Sequence, residues 1–335
     1  MKTLVITSPS HKGIKATLTD IGASLLELHV PDSSGQGYVD VITGPVGEED
    51  ILADRCFMGA TVGRVGNRVA EGRFSIDGEE YQLTVNDGEH HLHGGFGVHK
   101  KQWKVKEYTE HSVTFEISLP DGEDGYPGNC LMTARYWISN DEMLNVEYKA
   151  VVDKACPVNM VQHAYWNLSG DFSRCIDDHV VTSDDIGQVL EVEKGMIPTG
   201  NLLPVAGTVF DFREGKPLCE GLGANDAVIA TAGGYDHCLI FSDQLADGFA
   251  HCLEVSHPGS GRSMKVETNM PAVQIYSGNF LDGTQTGKGG AIGHRTGMCV
   301  ETQHYVDALN QVAFPSMIIR PGEVYMHKIR YTFGY

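Results

Sequence analysis

Residues 113–119 read VTFEISL, so that Val113, Phe115, Ile117 and Leu119 alternate with Thr114, Glu116 and Ser118. In an extended chain successive side chains point to opposite faces, and this pattern places four apolar groups on one face of a half-buried strand. Working outward, the same period returns. Leu144, Val146, Tyr148 and Ala150 alternate with Asn145, Glu147 and Lys149, and Ile329, Tyr331 and Phe333 alternate with Lys328, Arg330 and Thr332. Toward the N-terminus, Leu26, Leu28 and Val30 share one side of a run that stops at Pro31. Turn signals such as Asp77-Gly78, Asn86-Asp87-Gly88 and Asp282-Gly283 separate the runs. Helical patterning is confined to 184–194 and 217–222, both short and interrupted or flanked by glycine. The sequence therefore predicts an all-β chain, a large antiparallel β-sandwich formed by residues 1–335 as a single domain.

Composition narrows the function classes. The chain has 335 residues, 41% of them hydrophobic, enough for a large core, and its formal charge is −19. Such a surface repels nucleic acid and anionic membranes, so neither is expected as a partner. The opening MKTLVITSPSHKG has too short an apolar run for a signal segment, and no later run is long enough to span a bilayer. Eight cysteines at 56, 130, 156, 175, 219, 238, 252 and 299 form no CxxC pair and read as reduced, mostly buried thiols. A cytoplasmic protein is the expectation.

Residues 297–310, GMCVETQHYVDALN, hold one carboxylate inside an apolar run. With a period of two, Met298 and Val300 point one way and Cys299, Glu301 and Gln303 the other. In a cleft, Glu301 would be partly desolvated, which raises a carboxylate's proton affinity and suits it to general-base work. On an open sheet face it would simply be solvated, the common fate of glutamate.

Five further clusters stand out. Residues 63–68, GRVGNR, combine glycines that admit close backbone approach with Asn67 and Arg68 as donors, or form a Gly-rich turn with solvated arginines. Residues 90–95, HHLHGG, place His91 and His93 on one strand face, yet no carboxylate or thiol stands at a ligand spacing, so no metal is expected. Residues 159–168, NMVQHAYWNL, set His163 among aromatics and amides, able to titrate near neutrality or to sit as a satisfied core residue. Asp236 follows a Gly-Gly pair in GYDH, and Gln274 and Tyr276 share a face in MPAVQIY. A Walker sequence, a GxSxG elbow and an HExxH helix do not occur, and 287–290, GKGG, fails the dinucleotide pattern.

In this order and spacing the clusters resemble the aldose 1-epimerase (galactose mutarotase) family. The likeness runs from GATVGRVGNRVAEGRFSIDG through HHLHGG, DGEDGYPGN, PVNMVQHAYWNLSG, GMIPTG, GGYDH, NMPAVQIYSGNFLDGT and GMCVETQHYVDALN to FPSMIIRPGEVY, nearly the whole chain. It implies the family's large β-sandwich, the supersandwich, and an isomerase of hexose metabolism acting on free sugars such as galactose and glucose without a cofactor. By the same resemblance His163 would be the general acid and Glu301 the general base, with Arg68, His93, Asp236 and Gln274 binding the sugar and Asn67 a further contact. The chain departs from the usual pattern at Gln162, Trp166 and Val306, where Asn, Phe and Pro are common; the first two flank His163 and bear on sugar preference. A hexose-6-phosphate epimerase is the neighbouring alternative, disfavoured by the acidic surface. A glycosidase using Asp236 with Glu301, or a sugar-binding module, are the others. A monosaccharide is the expected partner of a monomer or homodimer.

Overall fold

The computed structural model describes residues 1–10, 13–32, 35–242 and 248–335. Residues 113–119 lie in the strand Ser112–Leu119, which pairs with Cys130–Ile138, a strand that alternates between buried and more exposed positions along all nine residues. The alternation extends across the sheet, because the register aligns Phe115, Ala134, Tyr148 and His327 in one row. All four are fully buried, so the period-two pattern becomes one wall of the core. The complete sheet has nine strands in the order Lys104–Tyr108, Ser112–Leu119, Cys130–Ile138, Leu144–Val152, Tyr325–Gly334, Arg262–Thr268, Ala250–His257, Val180–Thr182 and Lys216–Pro217.

A five-stranded sheet faces it, in the order Pro198–Pro204, Ile186–Val192, Asp236–Phe241, Ala272–Tyr276 and Cys299–Gln303. Its Leu239, Val273, Ile275 and Val300 join the same apolar cluster as Phe115, Val146, Ile329 and Tyr331 of the larger sheet. Two sheets closing on a shared core make the β-sandwich that the alternation predicts. A four-stranded sheet at the N-terminus, Thr3–Thr7, Lys15–Thr19, Ser24–Pro31 and Tyr38–Asp40, adds to that core through Ile6, Leu18 and Leu28.

Local signals place most turns. Asp77 and Gly78 have φ of 53° and 86° between the paired strands Arg73–Ile76 and Glu79–Gln82, the left-handed pair that a two-residue hairpin requires. The short helix Leu218–Leu222 falls in the second helical stretch. The first stretch is corrected: Ile186–Val192 is a strand pairing on both sides, where Val189 and Leu190 are buried and sheet pairing overrides a weak helical pattern. The seven described cysteines are free thiols, four of them buried, and the side chain of Cys252 lies outside the described residues. No helix among the described residues is long and apolar enough to cross a membrane.

Candidate active site

The site grows from the register of three adjacent strands in the smaller sheet. Asp236 pairs with Tyr276, which pairs with Cys299, and two residues along Cys238, Gln274 and Glu301 form the next row on the same face. Period two then gathers Asp236, Gln274, Tyr276, Cys299, Glu301 and Gln303 on the face turned away from the main core. That face is covered as well. All five residues of the Glu301 strand are buried, and Glu301 itself is 2% exposed, so the solvated-glutamate reading is overturned.

What covers Glu301 is the segment carrying His163, pinned by reciprocal backbone hydrogen bonds with Gly59 and Ala60 and by a bridge from Trp166 to Met298. His163 is 4% exposed, and its Nε2 lies 3.7 Å from Glu301 Oε2. Its Nδ1 is 3.6 Å from the Cys299 thiol. One strand therefore approaches both ring nitrogens of the imidazole, through residues two apart.

The GNR and LHGG clusters meet in a two-residue ladder, Arg68–Val69 against His91–Leu92. Just outside it Asn67 and His93 take left-handed backbones, φ 62° and 51°, which turn both side chains into the site. His91 and His93 consequently do not share a face. His91 is held by Thr84 O and Tyr126 OH, both at 2.6 Å, and is structural. His93 Nδ1 accepts from the Asn67 backbone N–H at 3.1 Å, so in the neutral ring Nε2 carries the proton and can donate. The Arg68 guanidinium donates to Asp87 at 2.9 Å and lies 3.7 Å from Asp236, whose other oxygen accepts from Gln274 at 2.7 Å.

These groups line one cavity of about 270 Å³, with Asn67, Arg68, His93, His163, Asp236 and Glu301 on its wall. The sequence clusters are thus brought together, with Gln274 held against Asp236 behind the lining. The lining also includes Phe57, Tyr165, Tyr276 and Phe280, which cluster reading does not single out as site residues. Tyr276 carries a signal, since it shares the Gln274 face; Phe57 carries none. Gln162 and Trp166 are absent from the wall: Gln162 donates to Gly59 O and Tyr136 OH, and Trp166 packs on Tyr331 and Phe333. They flank His163 along the chain only. Val306 is buried in an apolar cluster with Cys238 and Ile240.

Burial sets the electrostatics. Desolvation raises the Glu301 carboxyl well above the usual range, Asp236 adds to this and Arg68 opposes it. Desolvation lowers His163 to about 4 and, with the charges of His163 and Arg68, lowers His93 well below its ordinary value. The Oε2 of Glu301 and the Oε1 of Gln274 are buried with no hydrogen-bond partner in the protein among the described residues. Acceptors left unmatched beside a cavity suit a ligand rich in hydroxyls. His93, His163 and Glu301 each offer a donor atom within 4.8 Å of the others, so three ligands for a divalent ion are also present.

The family model for aldose 1-epimerase matches residues 4–332. Galactose mutarotase of Homo sapiens is 39% identical over 96% of this chain and 91% of its own length, and aldose 1-epimerase of Escherichia coli is 34% identical over 98% and 94%. The solved aldose epimerase homologue of C. elegans superposes with a TM-score of 0.91 at 30% identity, covering 100% of this chain and 99% of its own. Likeness over nearly full length, around the cavity that buries His163 against Glu301, places the chain in the aldose 1-epimerase family, and the protein is an isomerase of that family.

Proposed function

We propose that the protein interconverts the α- and β-anomers of free hexoses, galactose and glucose among them, with His163 as general acid and Glu301 as general base. The observation that carries this reading is the pair itself, 3.7 Å apart and buried in one cavity. Ring opening needs a proton delivered to the ring oxygen and one removed from the C1 hydroxyl. A pair holding one proton between them does both, and rotation about C1–C2 followed by the reverse transfers closes the other anomer. Burial favours the neutral acid and neutral imidazole, which carry the same proton count as carboxylate and imidazolium. Sugar hydroxyls donating to the unmatched Glu301 Oε2 would favour the charge-separated form that the assignment requires.

Arg68, His93 and Asn67 would donate to sugar oxygens, and Asp236 would accept from hydroxyls, with Gln274 binding the sugar through the Asp236 carboxylate that it holds and orients. A free sugar is favoured over a phosphorylated one because Arg68 is already flanked by Asp87 and Asp236. The same engagement of Asp236 by Gln274 and Arg68 weighs against a glycosidase pair with Glu301. The chain would act as one domain without a cofactor, as a monomer or homodimer. A cytoplasmic place in hexose metabolism fits its free thiols. Polarimetry on freshly dissolved α-galactose and α-glucose, their 6-phosphates and an aryl galactoside tests the reading. Accelerated mutarotation of the free sugars is expected; faster turnover of the phosphates, or release of the aryl group, would overturn it.

A further inference from the structure

Phe57 has a left-handed backbone, φ 59°, a conformation that a bulky side chain occupies only where its surroundings impose it. Here they do, through five backbone groups of the turn. Asp54, buried at the end of the helix Glu48–Ala53, accepts from Cys56 N at 2.8 Å through one oxygen and from Met58 N at 2.7 Å through the other. The Gln285 side chain, with its amide oriented to satisfy both contacts, donates to Asp54 at 2.9 Å and accepts from Arg55 N at 3.2 Å. Tyr165 OH donates to Cys56 O at 3.0 Å, and Ala60 N donates to Phe57 O at 3.1 Å. The result of this clamping is the place of one ring. Phe57 lines the cavity and packs on His93 at 4.7 Å, His99 at 4.7 Å and His163 at 5.8 Å between ring centroids.

We infer that the Asp54–Phe57 turn positions the reaction's imidazoles. Phe57 holds the ring planes of His93 and His163 against the sugar and Glu301, and Asp54 is a positioning residue acting through Phe57. This rests on the proposed acid–base reading of His163. A histidine has a broad torsion about its last side-chain bond, so a proton-transfer geometry needs a neighbour that fixes the ring. His163 Nδ1 lies 3.6 Å from a thiol, a weak partner, and the ring is otherwise held among those of His93, Tyr165 and Phe57, at 4.9, 5.3 and 5.8 Å between centroids, with Phe57 alone of the three reaching His99 as well. The left-handed backbone is what places the Phe57 ring against both imidazoles, and a turn without it would carry the ring elsewhere.

Phe57→Gly separates this role from space filling, because glycine adopts the left-handed conformation without a clash and so relieves the backbone while deleting the ring. Expected is a kcat about 10- to 100-fold lower with KM changed less than about threefold, the signature of lost alignment. Asp54→Asn should lower kcat less, and should add nothing in the Phe57→Gly background, because both act through one ring. Carbon-bound ring protons of His93 and His163 should shift in NMR spectra of Asp54→Asn, where the Phe57 ring is kept and its ring current reports its place, a readout that needs no activity. If Phe57→Gly does not fold, Phe57→Leu replaces it, keeping apolar bulk without an aromatic face. Wild-type kcat in the Phe57 variant, unshifted imidazole protons, or equal Asp54→Asn losses in both backgrounds would overturn the inference. Absence of mutarotation in the wild type would instead overturn the proposed function, with the proton shifts still reporting on the turn.

Discussion

The strand Cys299–Gln303 is buried on both faces, yet its two polar neighbourhoods are built to different rules. On the core face Thr302 donates to His327 Nε2 at 2.7 Å, and His327 Nδ1 donates to Met160 O at 2.9 Å, so the imidazole is saturated. On the cavity face Glu301 Oε2 has no hydrogen-bond partner among the described residues, and the ring nitrogens of His163 lie 3.7 Å from a carboxylate oxygen and 3.6 Å from a thiol. Desolvation depresses both histidines, His327 to about 3 and His163 to about 4, so burial alone does not tell the two apart. What separates them is how fully each ring is hydrogen-bonded. A buried polar group with all its bonds made rigidifies the fold, whereas one with bonds left to make is poised for a ligand.

The largest effect expected from this contrast lies on the cavity face. Glu301→Gln removes proton acceptance with little change in shape, and turnover should fall about 10²–10⁴-fold, roughly 3–5 kcal/mol of barrier, while sugar affinity by calorimetry changes far less. His163→Asn should do the same, and the double variant should lose much less than the product, because the two act as a unit. In the wild type kcat/KM should follow a bell in pH whose acid limb lies near the depressed His163 value of about 4 and whose alkaline limb lies above the ordinary Glu value of 4.5. Near-normal mutarotation by Glu301→Gln would erase the distinction between the two faces.

Arg68→Met comes next. It keeps much of the stem but removes the guanidinium, which faces Asp87 and Asp236 at the cavity wall. Weaker sugar binding and slower turnover are expected, together about tenfold or more in kcat/KM, in a folded protein. An unchanged kcat/KM would place Arg68 outside the working site.

The core face should respond in stability and not in chemistry. His327→Phe leaves Met160 O and Thr302 to find other partners, so denaturant unfolding should show a loss of about 1–3 kcal/mol while kcat per folded molecule stays near normal. The pH dependence has a definite sign. The unfolded imidazole binds a proton near its ordinary 6.5 and the folded one only near 3, so the stability from neutral His327 is complete above 6.5 and is lost as pH falls toward 3. His327→Phe should flatten that slope; a large kcat defect would mean that the satisfied face shares in catalysis.

Smallest of all should be the effect of chelation. His93, His163 and Glu301 could ligate a divalent ion, but acid–base exchange does not need one. Exhaustive chelation is expected to leave mutarotation unchanged. Loss of activity restored by one particular ion would change the meaning of the unmatched carboxylate from proton acceptor to ligand.

Local patterning determined a good deal. Alternation at 113–119 and 144–150 specified strands and their core faces, since side-chain direction in an extended chain depends on nothing beyond parity. Ordered clusters around Asn67, His93, His163, Asp236, Gln274 and Glu301 named the residues that meet around the cavity. Parity also put Gln274 and Tyr276 on one face, but it did not say which strand lay beside them. The pairing of Gln274 with Glu301, the contact of Asn67 with Gln303 across 236 residues, and the burial of His163 belong to the tertiary structure. So do the left-handed backbones of Phe57, Asn67 and His93, held there by hydrogen bonds and ring contacts from distant segments. The physical reason is range: strand direction is settled between neighbours, whereas desolvation and register come from the rest of the folded chain.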